Sequence, residues 1–150
     1  MTITLTLPDS YGLVLAAATS TFFVNALHMA RTGKFRKASK VAYPNAYATH
    51  EHAEKDPAAY KFNCAQRAHA NFIENQPSAL GALIIAGLQF PLAAAILGAT
   101  WSFGRAFYLY GYTSSAGPKG RTFGAYLAGA ADLALKLMAA YTSVVFAVGI

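Results

Sequence analysis

Arg67, Asn71 and Glu74 fall at i, i+4 and i+7, so a helix would carry all of them on one face, and Ser78 extends the row. Arg105, Tyr108 and Tyr112 repeat the pattern at i, i+3 and i+7, and Arg121 stands at the mouth of the next apolar segment. A guanidinium grips a carboxylate in fork geometry, and a carboxylate such as Glu74 can take an amine. A cavity holding arginines, a glutamate, an asparagine and phenols suits a small zwitterion that carries several carboxylates. A bland alternative stands beside this one. Arg67 and Glu74 can pair within a bundle, Arg67 and Arg105 can extend their stems to an interface, and tyrosines near a membrane boundary are ordinary. The gathering of so many polar groups at one depth favours the ligand site.

The elements that must position these groups are apolar. The 150-residue chain is 55% hydrophobic and only 12% charged, against roughly 25% charged in soluble domains. Mean hydropathy is +0.34. One domain is expected, an all-α bundle of four transmembrane helices. The predicted spans cover residues 11–29, 65–89, 92–112 and 122–148, each near the 20 residues that a bilayer requires. The second helix is expected to begin near Ala58, ahead of its spanning part. Residues 31–61 read as a polar loop with room for short helical turns, and "TSSAGPKG" is turn chemistry before the fourth span. Arg31, Lys34, Arg36, Lys37 and Lys40 crowd the first loop, and Lys119 and Arg121 lie in the loop on the same side. Beside lipid-spanning segments, such a cluster fits a cytoplasmic membrane-facing loop rather than nucleic acid. Both termini then lie across the membrane. No cleavable leader is expected, because the first apolar segment follows Asp9 rather than a basic stretch. Cys64 is the single cysteine, so no disulfide forms within the chain.

Several stretches bring a family into view. "FNCAQRAHANFIENQP", at residues 62–77, closely resembles the helix-two signature of the membrane-associated proteins in eicosanoid and glutathione metabolism (MAPEG). "AYPNAYA", "GRAFYLYGY" and "GPKGR" resemble stretches upstream of that signature, in the third helix and before the fourth. The nearest likeness is to the type-three microsomal glutathione transferases. This resemblance implies a homotrimer in the endoplasmic reticulum membrane, with glutathione bound between neighbouring subunits near the cytoplasmic face. It implies that Arg67, Asn71 and Glu74 bind glutathione, with His69 where some members place a glutamine, and with Tyr108 and Tyr112 from helix three. Arg121 would match the arginine beside the sulfur, and Arg31 a basic ligand at the end of helix one. Asn75 departs from the tyrosine of the leukotriene-conjugating synthases. The non-catalytic lipid-binding member lacks the arginine matched by Arg67.

The chemistry so implied is thiol activation. A thiol with a pKa of about 8.5 is mostly protonated at neutral pH, and a cation beside the sulfur favours the reactive thiolate. The thiolate would attack a lipophilic electrophile or a lipid hydroperoxide arriving from the bilayer, with Arg31 assisting the leaving oxygen. Cys64 is not the expected nucleophile, since small cysteines of this kind are packing residues. His50 and His52 in "THEH" lack partners at metal-ligand spacing and read as a solvated loop. Asp132 and Lys136, at i and i+4, read as an intrahelical ion pair that stabilises a trimer contact or lines a central channel. Two other readings remain: a non-catalytic lipid-binding or scaffold protein of the same fold, and a small channel or transporter subunit.

Overall fold

The computed structural model describes residues 6–149 and is helical throughout its regular elements. The elements are α1 (Tyr11–Ser39), α2 (His50–Lys55), α3 (Pro57–Gly87), α4 (Pro91–Tyr112), a 3-10 turn (Gly117–Arg121) and α5 (Thr122–Val148). Their starts carry local signals. Thr49 accepts a hydrogen bond from the His52 amide to cap α2, and Asp56 accepts one from the Ala58 amide to cap α3. Proline occupies the first turn of both α3 and α4, where its missing N–H costs nothing.

The segment expected as loop, residues 31–61, is mostly helical. Helix α1 continues through the basic cluster to Ser39, and α2 and the first turn of α3 also fall inside the segment. The physical reason is that charge ends the apolar stretch but not the helix: arginine, lysine and alanine are good helix formers, and no proline intervenes before Pro44. At 29 residues α1 is about 44 Å long, well beyond a hydrocarbon core of about 30 Å. The short connection that remains is tied down. Arg36 donates to the Asn45 carbonyl at 2.9 Å and lies over the Phe62 and Tyr43 rings. Asn63 clamps Ala48 through both backbone groups, at 2.8 and 3.0 Å. "THEH" opens α2, where His50 sits 3.0 Å from Glu54 on an exposed face.

Among the described residues α1 packs on α3 and α4, α5 packs on the same two helices, and α1 and α5 do not pack on each other. They therefore occupy opposite corners. Small side chains such as Ala17, Ala82, Ala86, Ala94 and Ala95 fill the core and let backbones approach. Polar pairs cross the interior, Ser20 with Ser102 at 2.7 Å and Tyr11 Oη donating to the Ile84 carbonyl at 3.0 Å. Large apolar side chains face outward along the helices, including Phe22, Phe23, Ile96, Phe103, Phe123 and Leu137. So much exposed apolar surface is foreign to soluble monomers and natural in lipid. By length and hydropathy, α1 and the segment Gly117–Val148 suffice to cross a bilayer; α3 and α4 carry the polar stripes.

Close approach sets the register of α4 against α5. A Cβ on Gly124 would lie 2.3 Å from the Tyr108 amide nitrogen, and one on Gly111 would lie 2.1 Å from the Gly120 carbonyl oxygen. Only glycine lets these backbones touch. The contact seats the 3-10 turn on α4, and Arg121 with it.

Candidate functional site

A cavity of about 400 Å³ lies among α3, α4 and α5. Helix α3 contributes Arg67, Asn71 and Asn75, and α4 contributes Trp101, Arg105 and Tyr108. Arg121 and then Ala125, Ala128, Gly129 and Asp132 of α5 form the third wall. The volume is within the roughly 300–1,000 Å³ of small-molecule sites. From Arg121 to Asp132 the wall rises about 16 Å along the helix axis. The small α5 residues leave the space between the flanking charges open.

Of the residues singled out from the sequence, Arg67, Asn71, Arg105, Tyr108 and Arg121 line this cavity together. Arg105 is 5% exposed and donates from Nη2 to Asn71 Oδ1 at 2.8 Å, while its Nε is buried without a partner. Its guanidinium lies 4.8 Å from the Tyr108 ring centre. Arg121 donates from Nη1 to the Tyr112 hydroxyl at 3.3 Å, and Tyr108 and Tyr112 meet edge to face at 5.7 Å. Asn71 thus holds a buried cation in place as well as facing the cavity.

Glu74, Tyr112, His69 and Arg31 stand elsewhere in the single chain. Glu74 pairs with Arg67 at 2.9 Å on the outer face, both side chains about half exposed. Tyr112 lines a second hollow of about 290 Å³ with Tyr47, Tyr60, Asn63, Cys64, Arg67 and Pro118, so that Arg67 borders both spaces. His69 follows Arg67 by two residues, a rotation of about 200° that turns it toward α1. Its ring is 6.0 Å from that of His28, which is fully buried and stacked on Phe72 at 4.7 Å. Arg31 donates from Nε to Thr113 Oγ1 at 2.6 Å and covers the Tyr110 ring at 4.3 Å, between α1, two turns before its end, and the C-terminal end of α4. Cys64, just ahead of the span expected at 65–89, is buried, and burial pushes its thiol pKa up, away from nucleophilic character.

Asn75, Trp101 and Asp132 join the site without having been assigned to it from the sequence. For Asp132 a signal existed: Arg121, Ala125, Ala128 and Asp132 run at i, i+4, i+7 and i+11, one continuous helical row. Its ion pair with Lys136 is present as expected, through Oδ2. Trp101 and Arg105 form the corresponding row on α4. Beyond the geometry, a family model matches: residues 14–141 of the chain fit the MAPEG family.

Proposed function

The chain belongs to the MAPEG family of membrane proteins, and we propose that it is a membrane glutathione transferase with glutathione peroxidase capacity, of the type-three microsomal kind. The observation that carries this reading is the cavity shared by Arg67, Asn71, Arg105, Tyr108 and Arg121, with Arg105 the most deeply buried of its arginines. Guanidiniums projecting into a partly apolar space suit carboxylates that a lipid-facing surface would repel. Arg67 and Arg105 hold the carboxylates of glutathione, and Arg121 stands beside the sulfur. The guanidinium of Arg121 lowers the thiol pKa, and the proton leaves to solvent. With a carbon electrophile, sulfur forms the C–S bond as the leaving group departs. With a lipid hydroperoxide, sulfur bonds the terminal oxygen, the O–O bond breaks, and the lipid leaves as an alcohol on taking a proton. A second glutathione thiol then condenses with the sulfenic acid, giving the disulfide and water.

Arg31 lies on the α1–α4 side of the chain, away from the cavity. Its role at the leaving oxygen therefore requires a neighbouring copy. A homotrimeric ring, in which each chain presents one surface to the different surface of the next, supplies that arrangement. The proposed setting is the endoplasmic reticulum membrane, with the cavity opening toward the cytoplasm. The test is to purify the full chain in detergent and add glutathione, recording the ultraviolet thiolate band and then conjugation with a chloronitrobenzene. A thiolate band at neutral pH and a conjugate are expected. Neither signal, from protein that remains folded, would leave the lipid-binding or scaffold reading in its place.

A further inference from the structure

A groove runs between α1 and α4 and shares no lining residue with the arginine cavity. Two hollows continue one another along it, of about 380 and 290 Å³, and Ser20 and Ala99 line both. The buried Ala17, Ala95 and Ser102 form its floor, and the exposed Phe23, Leu92 and Phe103 its rims. Toward the basic end of the bundle the groove leads to Arg31. Ser20, Leu27 and Arg31 share one row of α1, and Ala99, Ala106 and Tyr110 the matching row of α4, each at i, i+7 and i+11. The Arg31 guanidinium lies 4.3 Å from the Tyr110 ring centre and 5.3 Å from that of Phe35, with its Nε donating to Thr113. Among the described residues nothing accepts a hydrogen bond from its Nη1 or Nη2. Two aromatic rings and one fixed nitrogen thus hold the cation in place, and a fork of two donors is left for an oxyanion.

We propose that this groove is a site for an acidic phospholipid, with Arg31 holding the phosphate and the hollow below it one acyl chain. Depth carries the match. The run from Arg31 down to Ser20, like that from Tyr110 down to Ala99, is eleven residues, or about 16–17 Å along the helix. Half of a bilayer's hydrocarbon core is about 15 Å, so the chain of one leaflet fills this run with its phosphate level with the guanidinium. The other hollow, down to Leu13 and Leu92, then faces the opposite leaflet. Charge selects the head group. Lys34 follows Arg31 by one turn, Lys37 and Lys40 continue the basic end of α1, and no aspartate or glutamate stands between Asp9 and Glu51. An acidic lipid therefore fits better than a zwitterionic one. The rival occupant is a neighbouring copy, which Arg31 needs on this face in order to reach a leaving oxygen. A protein surface laid there would have to bring its own anion to the guanidinium, whereas a phospholipid carries anion and apolar chain at the required separation. Thiolate chemistry at Arg121 does not depend on which of the two is present.

The test is native mass spectrometry of the full chain, stripped of lipid in detergent and titrated with dipalmitoyl phosphatidylglycerol, dipalmitoyl phosphatidylcholine or dihexanoyl phosphatidylglycerol. One long-chain phosphatidylglycerol per protein chain should be retained, with phosphatidylcholine held more weakly. Arg31→Gln should weaken retention of phosphatidylglycerol about tenfold or more, since it removes a charge-assisted hydrogen-bond donor. Ala106→Phe, which fills the hollow below Arg31 and leaves every charge in place, should weaken it as well. Lys40→Gln, farther along α1, should change nothing. The short-chain lipid should bind poorly to the wild type, which reads the groove even if Ala106→Phe does not fold. Equal retention of the acidic and zwitterionic lipids, or retention that survives Arg31→Gln, means an annular lipid coat only and overturns the site. Retention of no phospholipid overturns it too, and in an assembled oligomer assigns the face to a second copy. Each of these results leaves the proposed function standing, because glutathione binding is measured separately at the arginine cavity.

Discussion

Replacing Arg121 by alanine tests the thiolate chemistry where its magnitude can be worked out. The Arg121 guanidinium sits 5.1 Å from the Tyr112 ring centre, and its Nη1 is 3.3 Å from the Tyr112 hydroxyl. At an effective dielectric of about 20, a thiolate about 4 Å from such a cation gains about 4 kcal/mol. Sharing with Tyr112 and partial hydration of the cavity reduce this to about half. About 2 kcal/mol corresponds to roughly 1.5 pKa units, which moves the bound thiol from about 8.5 to about 7. At pH 7 the thiolate fraction is then about one half in the wild type and about 3% in Arg121→Ala, a loss of about fifteenfold in kcat. The sign of the pH dependence follows: the thiolate is the active form, so activity rises with pH through the bound pKa. The variant's rise is displaced to higher pH, and its deficit shrinks above about pH 9. The assay is kcat against pH with a soluble chloronitrobenzene, alongside titration of the bound thiolate band. A deficit that stays constant across pH, or a bound thiol that titrates identically in both proteins, would refute the assignment of Arg121 to the sulfur.

Arg67→Ala should raise the glutathione Kd about tenfold or more with a smaller change in kcat. Its melting temperature should barely move, since a half-exposed ion pair such as Arg67–Glu74 contributes about 0–1 kcal/mol. Asn71→Ala should weaken binding and also destabilise the fold by about 1–3 kcal/mol, because it strips the acceptor 2.8 Å from a buried arginine. Thermal unfolding in detergent separates the two variants. Gly124→Ala puts a methyl 2.3 Å from the Tyr108 amide nitrogen and 2.6 Å from the Gly104 carbonyl oxygen, so α4 and α5 must move apart. Overpacking of that kind costs about 1–3 kcal/mol, which is a fall in Tm of roughly 3–10 °C, and the displacement of Arg121 from Tyr108 should lower activity as well. Gly33→Ala on α1 meets nothing within 4 Å and should raise stability slightly through helix propensity.

The all-α bundle and the family were legible because they rest on long-range regularities: apolar stretches of bilayer length and the residue 62–77 signature. The end of α1 was not legible, since the change from apolar to basic at Arg31 marks a change of solvent and leaves the backbone hydrogen bonding free to continue. Within the site, helical spacing locates a face only to within one position. Glu74 and Asn75 are about 100° apart on α3; Asn75 lines the cavity, while Glu74 turns out to meet Arg67. Asn63, in the same signature stretch, serves the fold instead, by clamping Ala48. His69 was carried by resemblance alone, and its own spacing from Arg67 already set it on the opposite face. Asp132 shows the converse. Paired with Lys136 it looked self-sufficient, because i, i+4 proximity accounts for one carboxylate oxygen and is silent on the other. Only packing of α5 against α3 and α4 reveals that the second oxygen has no partner and that the residue completes the Arg121 row. A polar side chain inside an apolar helix is thus understood only when every one of its hydrogen-bonding atoms has been accounted for.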